Sequence, residues 1–211
     1  DEVAVSGDLT VTGNETVYST LTAASGKRHF KITSGAHKLS LKWLNMTGGD
    51  LCNTWNDDAC HGGSIRVHNV AAHLNISHSV FFNNRAGSGG AVSAKNGQPN
   101  LFVSFVLFDR NTAIGYGGAV YLEKGTFQGE MNTFNNNIAG LPGGAMFISS
   151  SSVSSFHTSF LQNTAVSGGG GIYVYGSSSS PSQLNLTRGL VEENKQTNGG
   201  GYGDYGGGGL S

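Results

Sequence analysis

Apolar residues along this chain fall in short alternating runs. Leu9-Thr-Val-Thr12 and His29-Phe-Lys-Ile32 alternate apolar with polar, and Leu74 and Ile76 flank the polar Asn75. A period of two places the apolar side chains on one face of a strand, so these stretches predict half-buried β-strands. Thirty-four glycines and a charged fraction of 12% describe a chain rich in turns and poor in charged helix. Long amphipathic helices are not expected.

The same pattern recurs at a fixed period. Phe81-Phe-Asn-Asn84-Arg-Ala86, Phe108-Asp-Arg-Asn111-Thr-Ala113, Phe134-Asn-Asn-Asn137-Ile-Ala139 and Phe160-Leu-Gln-Asn163-Thr-Ala165 each read Phe-x-x-Asn-x-Ala, with the phenylalanines 27, 26 and 26 residues apart. Each leads into glycines and a strand start: Gly89-Gly90-Ala91-Val92, Gly117-Gly118-Ala119-Val120-Tyr121, Gly143-Gly144-Ala145-Met146-Phe147 and Gly169-Gly170-Gly171-Ile172-Tyr173. Degenerate copies follow at Val191-Glu-Glu-Asn194 with Gly199-Gly200-Gly201 and precede at Gly62-Gly63-Ser64-Ile65.

A repeat this short cannot bury its apolar face alone and must stack on its neighbours. The chain is therefore expected to be all-β, a right-handed parallel β-helix with rungs of about 26 residues. Residues 39–211 carry the repeats, residues 1–38 are expected to form atypical first rungs or a cap, and further rungs are expected beyond residue 211.

Stacking makes columns. Phe81, Phe108, Phe134 and Phe160 should form an aromatic stack, and Asn84, Asn111, Asn137 and Asn163 a ladder of side-chain amides. The glycine pairs, with Gly90, Gly118, Gly144 and Gly170, supply the sharp turn, and Ala91, Ala119, Ala145 and Gly171 present a small residue to a tight position. Asn75 and Asn185 should share a solvent-facing column. His78, Phe105, Met131, His157 and Arg188 should share another, read as core or rim packing rather than a metal site.

Charge and cysteine content narrow the setting. A net charge of −1 with scattered Lys and Arg gives no basic stripe, so nucleic acid is not an expected partner. No apolar run is long enough for a membrane helix, so no membrane insertion is expected within this chain. Asn-x-Ser/Thr sequons at Asn14, Asn45, Asn75 and Asn185 suggest a eukaryotic secretory route. Cys52 and Cys60 enclose a polar segment that reads as a loop, 52–60, closed by a disulfide.

The paired signature, Phe-x-x-Asn-x-Ala followed by Gly-Gly-Ala-Val/Ile-Tyr, resembles the repeat of chlamydial polymorphic outer membrane proteins and of related β-helix proteins of algae and protists. The resemblance implies a surface-displayed β-helix used in adhesion or surface architecture, with no catalytic residue and no cofactor. The bacterial members end in a membrane β-barrel that this chain lacks, so the extracellular algal or protist branch is the expected one.

The rival reading is a polysaccharide lyase or hydrolase, or a glycan-binding module, on the same fold. Asn53-Thr-Trp-Asn-Asp57-Asp58-Ala-Cys-His61-Gly-Gly-Ser-Ile-Arg66 contains elements of polygalacturonases, but crowds them into fourteen residues. Enzymes on this fold draw such groups from successive rungs. Asp57, Asp58 and His61 are therefore expected to be solvated loop residues, with Trp55 a candidate ligand contact beside them. The expected partners are the protein itself, neighbouring β-helix or extracellular domains, and glycans.

Overall fold

The computed structural model describes residues 2–51 and 54–198. Every strand pairing among the named strands is parallel, and the chain winds through three sheets as a right-handed β-helix. Sheet A has seven strands, one per coil, from Val3–Ala4 to Ile172–Tyr175. Sheet B takes the next stretch of each coil, and the five-strand sheet C closes the later coils through two-residue strands such as Thr112–Ala113.

The alternation seen in sequence maps onto inside and outside. In Val120–Glu123 the first and third residues are buried and the others partly exposed. Ile65, Val92, Val120, Met146 and Ile172 lie in one register and are all buried. Burying each such side chain contributes about 1.5–3 kcal/mol, and a tube this narrow needs only a few per coil.

The expected columns are present. Phe81, Phe108, Phe134 and Phe160 stack at centroid spacings of 5.1, 4.6 and 4.8 Å, with ring planes within 14°. Beside them, Asn84 Nδ2 donates to Asn111 Oδ1 at 3.1 Å, Asn111 to Asn137 at 3.0 Å, Asn137 to Asn163 at 2.9 Å and Asn163 to Asn194 at 2.8 Å. Each of these amides also donates to a main-chain carbonyl of the coil before, as Asn137 does to Phe108 O at 3.0 Å. Gly118 of the turn is crowded: a Cβ there would lie 2.0 Å from Gly144 O, which only glycine avoids.

Residues 2–38 lack the signature yet follow the same path. Val3–Ala4, Leu9–Thr12 and Ser19–Thr22 pair in parallel with Phe30–Ile32, Lys38–Lys42 and Leu44–Thr47. The stretch therefore holds a complete first coil and part of the second. The aromatic column runs back through Met46 and reaches this stretch at Leu21, apolar residues of another shape in the same register.

Corners are made by left-handed backbone. Trp43, His78, Phe105, Met131, His157 and Arg188 all have φ between 46° and 55° and bend sheet B in every coil from the second onward. Phe105 and Met131 are 44% and 43% exposed, so this column is a rim on the outside of the tube.

Candidate functional site

The main interruption of the repeat is the segment between Leu51 and Gly62. It carries one turn of 3-10 helix, Asp58–Cys60, capped by Asp57, whose carboxylate accepts from Ala59 N at 2.8 Å. Residues 54–61 lie against the outer face of sheet A. Lys95 Nζ sits 2.5 Å from Asp58 Oδ1, and His61 Nδ1 and His68 Nε2 each lie 3.7 Å from the same carboxylate. From the N-terminal side, Arg28 donates to His61 O at 2.7 Å and to Ala59 O at 2.5 Å, and Glu2 pairs with Arg28 and Lys31.

This corrects the expectation of solvated loop residues. His61 is 5% exposed, with Nε2 against Trp55 O at 2.9 Å, and Asp58 is half-buried in its ion pairs. Asp57 is exposed, as expected. Burial opposes ionisation of Asp58, but the bond and charge of Lys95, helped by His61 and His68, hold its carboxyl below the usual range. Burial pushes His61 below its usual value despite the bond to Trp55 O, with Lys95 adding to the depression. Burial and then Arg66 do the same to His68. Asp58 and His61 thus fasten the segment to the coil beneath. Cys60 is buried and its carbonyl accepts from Gly87 N at 2.7 Å; Cys52, expected to pair with Cys60, and Asn53 lie outside the described residues.

Trp55 faces a different neighbourhood, which sequence reading missed. On the outer face of sheet A, Tyr121, Phe147 and Tyr173 fall in one register and stack at 5.4 and 5.6 Å. Tyr116, from the turn before sheet A, packs on Phe147 at 4.7 Å, and Trp55 meets Tyr116 edge-on at 6.0 Å and 88°. Trp55, Tyr116, Phe147 and Tyr173, together with Pro142 and Tyr175, line a cleft of 360 Å³. The signal was in the repeat: the aromatic after Val120, Met146 and Ile172 recurs every 26 residues on the outward side. One rung earlier, the Tyr121 phenol is pushed well above its usual range by burial and by Glu123, to which it donates at 2.7 Å.

The remaining candidate residues scatter over other faces. Asn75 and Asn185 share the column Asn75, Phe102, Gln128, Ser154, Asn185, while Leu74 and Ile76 point inward and are buried, as the register required. Asn185 is exposed and Asn75 half-buried. Asn45 lies half-buried on sheet B, and Asn14 is exposed in a turn where its Oδ1 accepts from Thr16 N at 2.8 Å. His78 stacks on Phe105 at 4.8 Å and His157 on Phe156 at 4.0 Å. Among the described residues no group of three or more His, Cys, Asp or Glu could hold a metal ion.

Fold and surface together define a class: a parallel β-helix repeat protein whose motif residues build the coil and whose outer columns vary from rung to rung. Residues 78–95, 105–123 and 157–175 match the Chlamydia polymorphic membrane protein repeat, so these coils are similar to that repeat. Each matched segment contains one Phe-x-x-Asn followed by adjacent glycines, a pair in the first two and a run of four, 168–171, in the third. No curated protein and no solved structure matches the chain. Among the described residues no helix is long and apolar enough to cross a membrane.

Proposed function

We propose that the protein is a non-catalytic extracellular module, displayed on a cell surface or built into a surface appendage, filament or matrix. It acts through its outer faces, by adhesion or by packing against copies of itself or neighbouring domains. The observation that carries this reading is the use made of the repeat. Its Phe, Asn and Gly-Gly positions are consumed in the stack, the ladder and the turns, and the matched family repeat is one associated with surface proteins. The four sequons favour a eukaryotic secretory route, and with it the algal or protist branch of such proteins.

Electron microscopy of the intact native protein tests the proposal. Ordered polymers identify a structural subunit, and dispersed monomers that bind cells or matrix identify an adhesin. Turnover of an acidic glycan by the purified protein overturns the non-catalytic reading.

A further inference from the structure

We propose that the aromatic cleft on sheet A binds a proline-rich polypeptide segment in the extended polyproline II conformation. The inference rests on the surface-module reading only in taking this face as accessible. The cleft of 360 Å³ is within the range of ligand sites and accommodates roughly two or three residues at about 3.1 Å rise each. Its rings are set at different inclinations, Trp55 at 88° to Tyr116 and Tyr116 at 49° to Phe147, which leaves slots rather than one flat platform.

The polar chemistry of the lining decides the class of ligand. Trp55 is 42% and Tyr175 55% exposed, and neither indole N–H nor phenol has a hydrogen-bond partner among the described residues. An indole N–H only donates, whereas a phenol O–H donates and its oxygen can also accept. The described lining includes no carboxylate, amide, ammonium or guanidinium; Ser167 supplies its one aliphatic hydroxyl. The wall carbonyls of Pro142 and Gly168 already accept from Gly117 and Gly143. The cleft thus offers apolar ring surface and donors, with the hydroxyl oxygens of its tyrosines and Ser167 as its side-chain acceptors.

A sugar carries a donor on every hydroxyl, and each donor left unmet on burial costs about 1–3 kcal/mol. An ordinary peptide brings an N–H per residue. A quaternary ammonium group suits aromatic walls, but no carboxylate in the described lining balances its charge. Proline has no N–H, presents a flat apolar ring, and in polyproline II leaves its carbonyl free to accept. That is the complement of this surface, and aromatic grooves recognise such segments for these reasons.

The test is titration of the full chain with decaproline, read by calorimetry and amide NMR. Saturable binding is expected, with shifts confined to the coils around Phe147 and Tyr173. Trp55→Ala and Tyr175→Ala should each weaken it at least tenfold, and Tyr175→Phe, which keeps the ring and removes the donor, by roughly three- to tenfold. Phe105→Ser, on the sheet B rim, should leave it unchanged. Melting curves establish that each variant folds. Absence of decaproline binding, equal binding of an alanine-rich peptide, or saturable binding of a neutral oligosaccharide lost in Trp55→Ala overturns the proposal. None of these outcomes touches the surface-module reading, which stands or falls on the microscopy.

Discussion

Replacing Asn137 by Ala isolates the contribution of the buried ladder. Asn137 is fully buried. The substitution removes four hydrogen bonds: Nδ2 to Asn163 Oδ1 at 2.9 Å, Nδ2 to Phe108 O at 3.0 Å, and two accepted from Asn111 N and Nδ2, both at 3.0 Å. The bond from Asn137 N to Asn163 Oδ1 survives, because it uses the main chain. A net bond contributes about 1 kcal/mol, and an orphaned buried donor such as Asn111 N–H costs about 1–3 kcal/mol, so the loss should total roughly 3–5 kcal/mol. For a chain of this length that lowers Tm by roughly 6–20 °C. Asn194→Ala removes three comparable bonds at the half-buried end of the ladder, where water replaces them, and should cost about 1–2 kcal/mol. Urea titration gives the global difference, and amide exchange at Asn111 shows whether the loss is local, since solenoid coils can open singly. A cost below about 1 kcal/mol for Asn137→Ala, or equal costs for the two variants, would refute the argument that dryness gives the ladder its strength.

Other expectations follow from the same geometry. Gly144→Ala puts a Cβ 1.9 Å from Gly170 O and should unfold or strongly destabilise the coil, whereas Gly7→Ala, with nothing within 4 Å, should shift Tm little in either direction. On acidification from about pH 7 to about pH 5, Tm should fall. His29, His61 and His68 have folded pKa values depressed by burial, so the unfolded chain binds more protons. Their contribution is present above the unfolded value of 6.5 and is lost as pH drops through it toward the folded pKa. Asp58 and Glu2, held down by their cationic partners, lose theirs only in stronger acid. A flat Tm over that interval, or an unchanged slope in His61→Gln, contradicts this assignment. Peptide mapping without reductant should recover Cys52 and Cys60 in one cross-linked fragment; separate thiol-labelled peptides would show that the loop closes without a covalent link.

The stacked columns were legible because a column works best when every rung contributes the same residue. An amide ladder needs Asn in each coil, and a turn that brings a carbonyl within about 2 Å of a Cβ position admits only Gly. The first coil was less legible because a core column is less demanding. Leu21 and Met46 continue the phenylalanine stack in register without resembling it in sequence. The sheet B corner was visible as a column but not as a left-handed bend. Positive φ at Phe105 or Met131 contradicts local preference, and it persists because ladder bonds such as Met131 N to Phe156 O at 2.9 Å fix the backbone from the next coil.

The segment around Asp58 was misread for a related reason. Its partners lie at separations of 37 residues for Lys95 and 31 for Arg28, distances that a local reading treats as remote and a solenoid turns into adjacency. An insertion between two coils has only the flank of the tube to lie on, so its charges meet whatever the neighbouring coils display. On sheet A that display changes along the axis. The single outward column Ala4, Lys31, Arg66, Ser93, Tyr121, Phe147, Tyr173 carries two basic residues near its start and ends aromatic. The inward column beside it, by contrast, stays apolar throughout. Folding demands the second regularity and is indifferent to the first. A directional change in an outward column therefore marks where the surface departs from what the coil needs, and the aromatic end of this one coincides with the cleft beside Trp55.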